Sequence, residues 1–418
     1  MYIENYIKKI GLDAKHASYI IASAENNQKN IFLENLSNKL LDNTNNIIAA
    51  NSKDLTEAVK QCLDDAFIDR LKLTSKNITA MADGLLQIKG LANPVGKIIN
   101  KNTMPSGIIV GQMRVPLGVI GMIYESRPNV TIDAAGLAIK SGNSIILRGG
   151  SESIHSNSYL NELIKETLIE VGLHPGCVQI IETIDRDAVT KLIKMNEYVD
   201  VIIPRGGKSL IKKISADSTI HVIKHLDGNC HIYVDEDADL EMAVNVVDNS
   251  KTQRLGTCNT LESLVVSSKV SKVFLPRIKK LFDDKFIEIR GCKETQKIIP
   301  DVKLATEEDY YEEYLGPTIS CVIVESINEA ITHINKYSSR HTESIITKNE
   351  SHSQKFIREV DSSSVMVNTS TRFADGFEYG LGAEIGISTD KFHARGPVGL
   401  EGLTSLKYIV LGNGQIRE

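Results

Sequence analysis

The sequence lacks several features that would assign a chain to a class at once. No apolar run approaches the roughly 18 residues of a membrane-spanning helix, and residues 1–16 contain no apolar signal core. The six cysteines are scattered, without a CxxC pair or a zinc-type spacing. These absences argue against a membrane protein and against a disulfide-stabilised secreted domain. We therefore expect a soluble, cytoplasmic protein whose thiols stay reduced.

The charge pattern and the histidines argue against further classes. The net charge is −5, and Lys and Arg are spread along the whole chain, which disfavours nucleic acid or an anionic membrane as the main partner. The ten histidines form no HExxH or similar pair, so we expect no structural metal. With 418 residues, 42% of them hydrophobic, the chain is long enough to form at least two globular domains.

The order of apolar segments predicts an α/β protein. Apolar side chains repeat at helical spacing in the first hundred residues. From about 118 to 235 short strands alternate with helices, and the alternation resumes after 260. This pattern predicts two lobes built from parallel βαβ units, which bind ligands at the carboxyl ends of their strands. The β-prone segment 107–115 lies outside this alternation and is a candidate arm.

Cys258 lies in a turn rich in Gly and polar residues, between an amphipathic helix and an apolar strand. A thiol at such a junction can lie beside backbone N–H groups, which stabilise a thiolate and a developing oxyanion. A small buried hydrophobic side chain is the commoner role of a cysteine. From this residue alone, both interpretations stay open.

Two Gly-Gly turns follow predicted strands, in the segments 147–152 and 203–208. Glycine allows the backbone to approach a phosphate closely, and the second turn also opens a helix whose N-terminus attracts anions. Neither turn is a GxGxxG or a Walker loop, and a Gly-Gly pair is often only a turn. Two such turns in one sheet favour a nucleotide site.

Polar residues capable of binding anions lie in two further loops. Arg127 and Asn129 end a predicted strand, and Arg372 lies in the glycine-rich tail. An arginine can clamp a carboxylate or phosphate, and an asparagine amide can donate to an oxyanion. Surface arginines in a polar loop are the alternative.

Together these segments resemble the aldehyde dehydrogenase superfamily and, within it, the γ-glutamyl phosphate reductases. The resemblance runs in order from about 115 to 415. Its most specific motifs are ESRPNVT, RLGTCNTLES, EYLGPT, GLGAEIGIST and HARGP. It implies an aldehyde-dehydrogenase-like α/β fold, with two doubly wound Rossmann-like lobes and a small β oligomerisation arm.

The resemblance also implies domain boundaries. It assigns NADPH binding to residues 1–103 and 118–228, and catalysis to residues 229–370. It assigns residues 104–117 and 371–418 to the oligomerisation arm and the C-terminal tail.

Four residues take catalytic or substrate-binding roles by this resemblance. Cys258 occupies the position of the nucleophile, and Asn129 that of the oxyanion-hole amide. Arg127 and Arg372 are the candidates for holding the phosphate or α-carboxylate of the substrate.

Five residues fall at cofactor-binding positions. Arg148 and Glu152 correspond to the residues that meet the adenosine ribose, and an arginine there suits the 2′-phosphate of NADPH. Gly206 and Gly207 correspond to the turn that meets the pyrophosphate. Glu313 corresponds to the glutamate that holds the nicotinamide ribose.

The implied reaction is the NADPH-dependent reduction of L-glutamate 5-phosphate to L-glutamate 5-semialdehyde, the second step of proline biosynthesis from glutamate. Oxidising members of the superfamily carry a water-activating glutamate where this sequence has the stretch 225–228, His-Leu-Asp-Gly. Its absence favours release of the acyl group to phosphate over hydrolysis. A water-using aldehyde dehydrogenase and a non-catalytic nucleotide-binding protein remain the alternatives.

The resemblance bears on partners as well. Arm strands in this superfamily usually pair across a dimer, so we expect a homodimer or a higher homo-oligomer. A separate glutamate 5-kinase is a further candidate partner, because a kinase domain does not fit beside this fold in 418 residues.

Overall fold

A computed structural model of the chain describes residues 2–417, except for the side chains of Tyr2 and Ala66. The described chain forms two compact units. The first comprises the residues up to Lys224, Leu381–Gly386 and the tail from Val398; the second comprises His225–Gly380 and Ile387–Pro397. None of the helices in residues 2–417 is both long and apolar enough to span a membrane.

The first unit begins with helices, as the apolar spacing predicts. Ile78, Met81, Leu85 and Ile88 are all buried along one face of the fifth helix, and Thr74 starts that helix with a capping box. The five helices are α1 (Tyr2–Ser23), α2 (Asn26–Asp42), α3 (Thr44–Lys60), α4 (Asp65–Leu71) and α5 (Ser75–Gly90).

After two antiparallel strands, β1 (Ile98–Thr103) and β2 (Ile109–Pro116), the chain alternates strictly between strand and helix. The alternating elements are β3 (Val119–Tyr124), α6 (Asn129–Lys140), β4 (Ser144–Arg148), α7 (Ile154–Glu170), β5 (Val178–Ile180), α8 (Asp187–Leu192), β6 (Val201–Arg205) and α9 (Lys208–Asp217). The four strands β3–β6 pair in parallel in the order β5-β4-β3-β6. The order reverses at β3, and at such a switch point the loops after neighbouring strands diverge and leave a crevice for a ligand.

The second unit contains a parallel sheet of seven strands. Its elements are β7 (Cys230–Val234), α10 (Leu240–Thr252), β8 (Leu261–Ser267), α11 (Ser268–Asp284), β9 (Glu288–Gly291), α12 (Lys293–Ile298), β10 (Lys303–Leu304), β11 (Thr318–Val324), α13 (Ile327–Tyr337), β12 (Thr342–Ile346), α14 (Glu350–Glu359) and β13 (Ser364–Val367). The strand order is β10-β9-β11-β8-β7-β12-β13. The central strands β7 and β8 are buried along their whole length, as expected of a sheet covered by helices on both faces. The predicted α/β fold class is confirmed.

The C-terminal tail adds three strands, β14 (Gly386–Ser388), β15 (Gly396–Val398) and β16 (Thr404–Leu411). Strand β16 pairs antiparallel with β2, so the candidate arm 107–115 becomes the centre of a three-stranded sheet with the order β1-β2-β16. Leu406, Tyr408 and Val410 alternate along β16, share one face and are exposed. This sheet therefore has an apolar, solvent-facing edge strand.

Candidate active site

Cys258 lies in a tight turn between α10 and β8, in the second unit. The turn is closed by its own side chains, because the hydroxyls of Thr257 and Thr260 both donate to the carbonyl oxygen of Arg254, at 3.5 and 2.7 Å. Cys258 is partly exposed, and none of the six cysteines forms a disulfide. A thiol that lies in the turn between a helix and a strand, and that is partly exposed to solvent, is available as a nucleophile.

A second segment is fastened to this turn. The Asn259 amide donates to the carbonyl oxygens of Ala374 and Arg372, at 3.1 and 3.4 Å, and the Thr371 hydroxyl donates to the Asn259 carbonyl oxygen at 2.7 Å. These bonds hold the 3₁₀ turn Thr371–Phe373 against the residue that follows Cys258. The two segments are more than 110 residues apart in sequence, so no local sequence pattern predicts this contact.

Arg372 therefore projects over the cysteine turn. Its Nη1 donates to the Thr257 hydroxyl at 2.6 Å, and its Nε donates to Gln253 Oε1 at 2.8 Å. Burial lowers the pKa of Arg372, whereas the negative charge of a Cys258 thiolate raises it. The guanidinium thus stands close enough to Cys258 to favour the thiolate form.

The stretch 225–228 packs directly beneath the cysteine turn. The Cys230 thiol donates to the Cys258 carbonyl oxygen at 3.2 Å, and burial raises the pKa of Cys230 well above its usual range. Cys230 is therefore a neutral, inert support for the turn. The His225 ring contacts the Ile387 carbonyl oxygen through Nδ1, at 3.2 Å.

Glu313 accepts a hydrogen bond from the backbone N–H of Gly228 through Oε1, at 2.8 Å. Two residues further on, Leu315 has a positive φ of 51°, which leucine rarely adopts. Its N–H donates to Oε1 of the buried Glu262 at 3.2 Å, and the other oxygen of Glu262 pairs with the buried Lys251 at 2.6 Å. The loop that carries Glu313 is thus anchored on a buried ion pair.

The residues of the first unit that are predicted to bind the cofactor lie together at the carboxyl ends of its strands. A cleft of about 580 Å³ there is lined by Arg148 and Glu152, together with Arg186 and Lys213. Arg148 is buried, and its guanidinium donates to the carbonyl oxygens of Gly149 and Ile184. Its Nε has no acceptor among the described residues, so an orphaned donor remains at the cleft.

Gly206 and Gly207 lead from β6 into α9 at the same edge of the sheet. Gly207 is the N-cap of the ten-residue helix α9, and its N–H donates to Glu125 Oε2 at 3.0 Å. The exposed N-terminus suits an anion such as a pyrophosphate. The exposed start of α9 and the orphaned Arg148 Nε both fit a phosphate-bearing dinucleotide.

Arg127 lies in the loop between β3 and α6, and Asn129 is the first residue of α6, both in the first unit. The Asn129 amide donates to Asp133 Oδ2 at 3.1 Å, which fixes its orientation on the first turn of α6. Burial raises the pKa of Asp133 to about 6, against the opposing effect of that hydrogen bond. Arg127 is exposed.

One further cluster bears on metals. Ligand atoms of Asp235, Asp237 and His352 lie within 4.8 Å of one another. The buried Asp235 already accepts hydrogen bonds from the hydroxyls of Tyr233 and Thr347, at 3.0 and 2.6 Å. Its carboxylate is thus satisfied within the protein.

The aldehyde dehydrogenase family model matches residues 6–288 and 298–384, most of the chain. A γ-glutamyl phosphate reductase from Thermotoga maritima is 44% identical, with a TM-score of 0.97 over 99% of this chain and 100% of that one. The chain belongs to the γ-glutamyl phosphate reductases of the aldehyde dehydrogenase family. It is an oxidoreductase that acts on an aldehyde, and its family implies a nicotinamide cofactor.

Two other solved structures are similar to this chain. A γ-glutamyl phosphate reductase from Saccharomyces cerevisiae is 31% identical over 99% of this chain and 98% of that one, with a TM-score of 0.54. An engineered glycolyl-CoA reductase with bound NADP⁺ is 13% identical and covers 97% of each chain, with a TM-score of 0.67. The second likeness concerns the fold.

The structure gathers the residues singled out from the sequence into two groups. Cys258, Arg372 and Glu313 surround one turn of the second unit, and the remaining candidates lie in the loops at the carboxyl ends of strands in the first. Sequence reasoning missed the residues that support Cys258 from below and beside it: Gly228, Cys230, Lys251, Arg254 and Glu262. Arg254 and Glu262 belong to the RLGTCNTLES motif that contains Cys258, and this motif was the sequence feature that could have identified them.

Proposed function

We propose that this enzyme reduces L-glutamate 5-phosphate to L-glutamate 5-semialdehyde and phosphate with NADPH, as the second step of proline biosynthesis from glutamate. The observation that carries the proposal is the position of Arg372, fixed over the Cys258 turn by Thr257 and Gln253. An arginine beside a nucleophilic thiol favours an anionic acyl donor. The names of the 44% and 31% identical relatives support the same substrate.

Cys258 attacks the C5 carbonyl carbon of the acyl phosphate. The Asn129 amide and the backbone N–H groups of the cysteine turn donate to the oxyanion that forms. A carbon–sulfur bond forms, the bond from C5 to the phosphate oxygen breaks, and the thiol proton leaves with the phosphate. Arg127 and Arg372 hold the anionic groups of the substrate, so that the carbonyl carbon meets the sulfur in a productive geometry.

Five residues of this chain would hold NADPH. Arg148 and Glu152 would hold the adenosine ribose and its 2′-phosphate, Gly206 and Gly207 the pyrophosphate, and Glu313 the nicotinamide ribose. When bound, NADPH supplies the hydride that converts the Cys258 thioester to the aldehyde. The orphaned Nε of the buried Arg148 supports NADPH over NADH, because a buried guanidinium needs an anionic acceptor.

A water-using aldehyde dehydrogenase is the second candidate. Hydrolysis of the thioester needs a general base near the acyl group. The stretch 225–228 offers no glutamate, and the His225 Nδ1 is directed to the Ile387 carbonyl oxygen. This arrangement favours phosphate over water as the acyl acceptor.

The edge strand β16 supports a homodimer or a higher homo-oligomer. A strand with unpaired backbone groups and an apolar face, formed by Leu406, Tyr408 and Val410, is a ready surface for a second copy. We place the enzyme in the cytoplasm, where a glutamate 5-kinase would supply the acyl phosphate and is a candidate partner.

The decisive experiment is the reverse reaction, phosphate-dependent reduction of NADP⁺ with glutamate 5-semialdehyde. We expect NADPH formation that requires inorganic phosphate, and its loss in Cys258→Ser with NADPH binding retained. Cys62→Ser, at an exposed cysteine of the first unit, is the matched control. Reduction of NADP⁺ without phosphate would favour the water-using enzyme. Binding of NADPH without any turnover of either kind would favour the non-catalytic alternative.

A further inference from the structure

Arg254 is an arginine beside the predicted nucleophile, and nothing above gives a role to its side chain. It lies four residues before Cys258 and closes the cysteine turn through its carbonyl oxygen. Its side chain is exposed and makes no hydrogen bond or ion pair with the described residues. The backbone of Arg254 is therefore fixed by the turn, while its guanidinium stays available to a ligand.

Arg372 offers donors to the same place. Two of its five N–H groups are used, by Gln253 and Thr257, and Nη2 has no acceptor among residues 2–417. The positive charge of Arg254 lowers the pKa of Arg372, so the two guanidinium groups lie close enough to repel each other. The Asp375 carboxylate offsets part of this repulsion but also accepts from the Phe377 N–H, at 2.9 Å.

We propose that Arg254 and Arg372 together form the binding site for the phosphate group of the acyl phosphate. This inference rests on the proposed function and specifies which end of the substrate the cysteine turn holds. Two arginines with free N–H groups match the several oxygens of a phosphate dianion. The dianion in turn relieves the repulsion between the two cations.

The length of the substrate distinguishes its phosphate from its α-carboxylate. In a productive complex the sulfur lies about 3 Å from C5. The phosphate is joined to C5 through a single oxygen, whereas the α-carboxyl carbon is four carbon–carbon bonds of about 1.5 Å away. Cations gathered around the thiol therefore meet the phosphate, and the α-carboxylate must be held elsewhere.

The site also serves the chemical step. As the bond from C5 to the bridging oxygen breaks, its electron pair moves onto the phosphate, which leaves as HPO₄²⁻ with the proton of the thiol. Arg254 and Arg372 face the charge that develops on this leaving group. In the reverse reaction the same pair holds inorganic phosphate for attack on the thioester.

The test compares Arg254→Met and Arg254→Lys with wild type in the reverse reaction. We expect Arg254→Met to raise the KM for inorganic phosphate about 10- to 100-fold, because a charge-assisted hydrogen-bonded pair is lost. The KM for the semialdehyde should stay within about threefold of wild type. Arg254→Lys should give a KM for inorganic phosphate between those of wild type and Arg254→Met, because lysine keeps the charge and loses the forked geometry of the guanidinium. Arg277→Met, on an exposed position of α11, is the matched control. A rise confined to the KM for the semialdehyde, or no change in either, overturns the proposal.

A second measurement does not depend on turnover. Inorganic phosphate should slow the alkylation of Cys258 by iodoacetamide in wild type and in Arg277→Met, and should not slow it in Arg254→Met. Equal protection in all three proteins would overturn the site. Failure of the proposed function would give a different result. Phosphate would still protect Cys258 from alkylation, which supports the anion site, but NADP⁺ reduction would not depend on phosphate, which contradicts the proposed reaction.

Discussion

Gly228 and Cys258 are in direct backbone contact. A Cβ atom built on Gly228 would lie 1.9 Å from the Cys258 carbonyl oxygen and 2.5 Å from its Cα. No side chain fits there, and the obstacle is backbone that cannot rotate away. The glycine therefore fixes the distance between the Cys258 turn and the stretch 225–228.

The first prediction follows from this contact. Gly228→Ala must displace the Cys258 turn, and a shift of about 1 Å at a reacting group costs on the order of 100-fold in rate. We expect kcat to fall by about that factor while the circular dichroism spectrum is preserved. Gly256→Ala is the control in the same turn, because its Cβ would meet nothing within 4 Å. An unchanged kcat in Gly228→Ala would show that the turn relaxes without consequence.

The second prediction concerns the buried pair of Lys251 and Glu262. Lys251→Met leaves a carboxylate buried without its partner, which should lower the free energy of unfolding by about 3–5 kcal/mol. The double variant with Glu262→Leu removes both charges and should recover most of that loss. Urea unfolding of the two variants and wild type measures the difference. Equal destabilisation of the single and the double variant would contradict the prediction.

The same pair gives the third prediction, on pH. Burial raises the pKa of Glu262 to about 7, and Lys251 opposes that rise. A carboxyl whose pKa is higher in the folded state binds its proton more tightly there, so its contribution to stability falls as pH rises above about 4.5. Without Lys251 the pKa rises further. Lys251→Met should therefore be more strongly destabilised at about pH 8 than at about pH 6, and a destabilisation equal at both would disprove it.

The fourth prediction concerns acid. Burial lowers the pKa of His333 to about 3, and the ring packs against Tyr310 and Tyr337 with its Nε2 unbonded. The unfolded chain binds this proton at about pH 6.5, so the folded state loses about 1.4 kcal/mol per pH unit below that value. His333→Phe should reduce the slope of unfolding free energy between about pH 6 and pH 4 by that amount. An unchanged slope would mean that His333 is protonated in the folded protein.

The fifth prediction concerns cofactor choice. If Arg148 meets the 2′-phosphate, Arg148→Leu should weaken binding of NADPH and of 2′,5′-ADP about 10- to 100-fold and leave NADH and 5′-AMP within about threefold. Arg148→Lys should keep part of the preference. Direct titration of the four ligands is the measurement. A parallel loss for all of them would assign Arg148 to holding the Gly149 and Ile184 carbonyls alone.

Much of the architecture could be predicted from the sequence. The strands at 119–124 and 144–148 and the helix at 154–170 lie within the region of about 118 to 235 where strands and helices were predicted to alternate, because short apolar runs bounded by Gly leave few alternatives. The exact position of strand β7 was not predicted, since the polar His231 interrupts its apolar pattern although it is fully buried. Composition alone does not tell a polar residue in solvent from one buried with a partner.

For the site, the sequence by itself determined the family and singled out Cys258 as the predicted nucleophile, because RLGTCNTLES and its companion motifs depend only on residue type and order. Only the tertiary structure decided what surrounds Cys258. It set Gly228 under the Cys258 backbone, Arg372 beside the thiol from 114 residues away, and Lys251 against Glu262 in the interior. The physical reason is that the energy of a charge depends on its burial and its nearest partner, and long-range chain folding sets both.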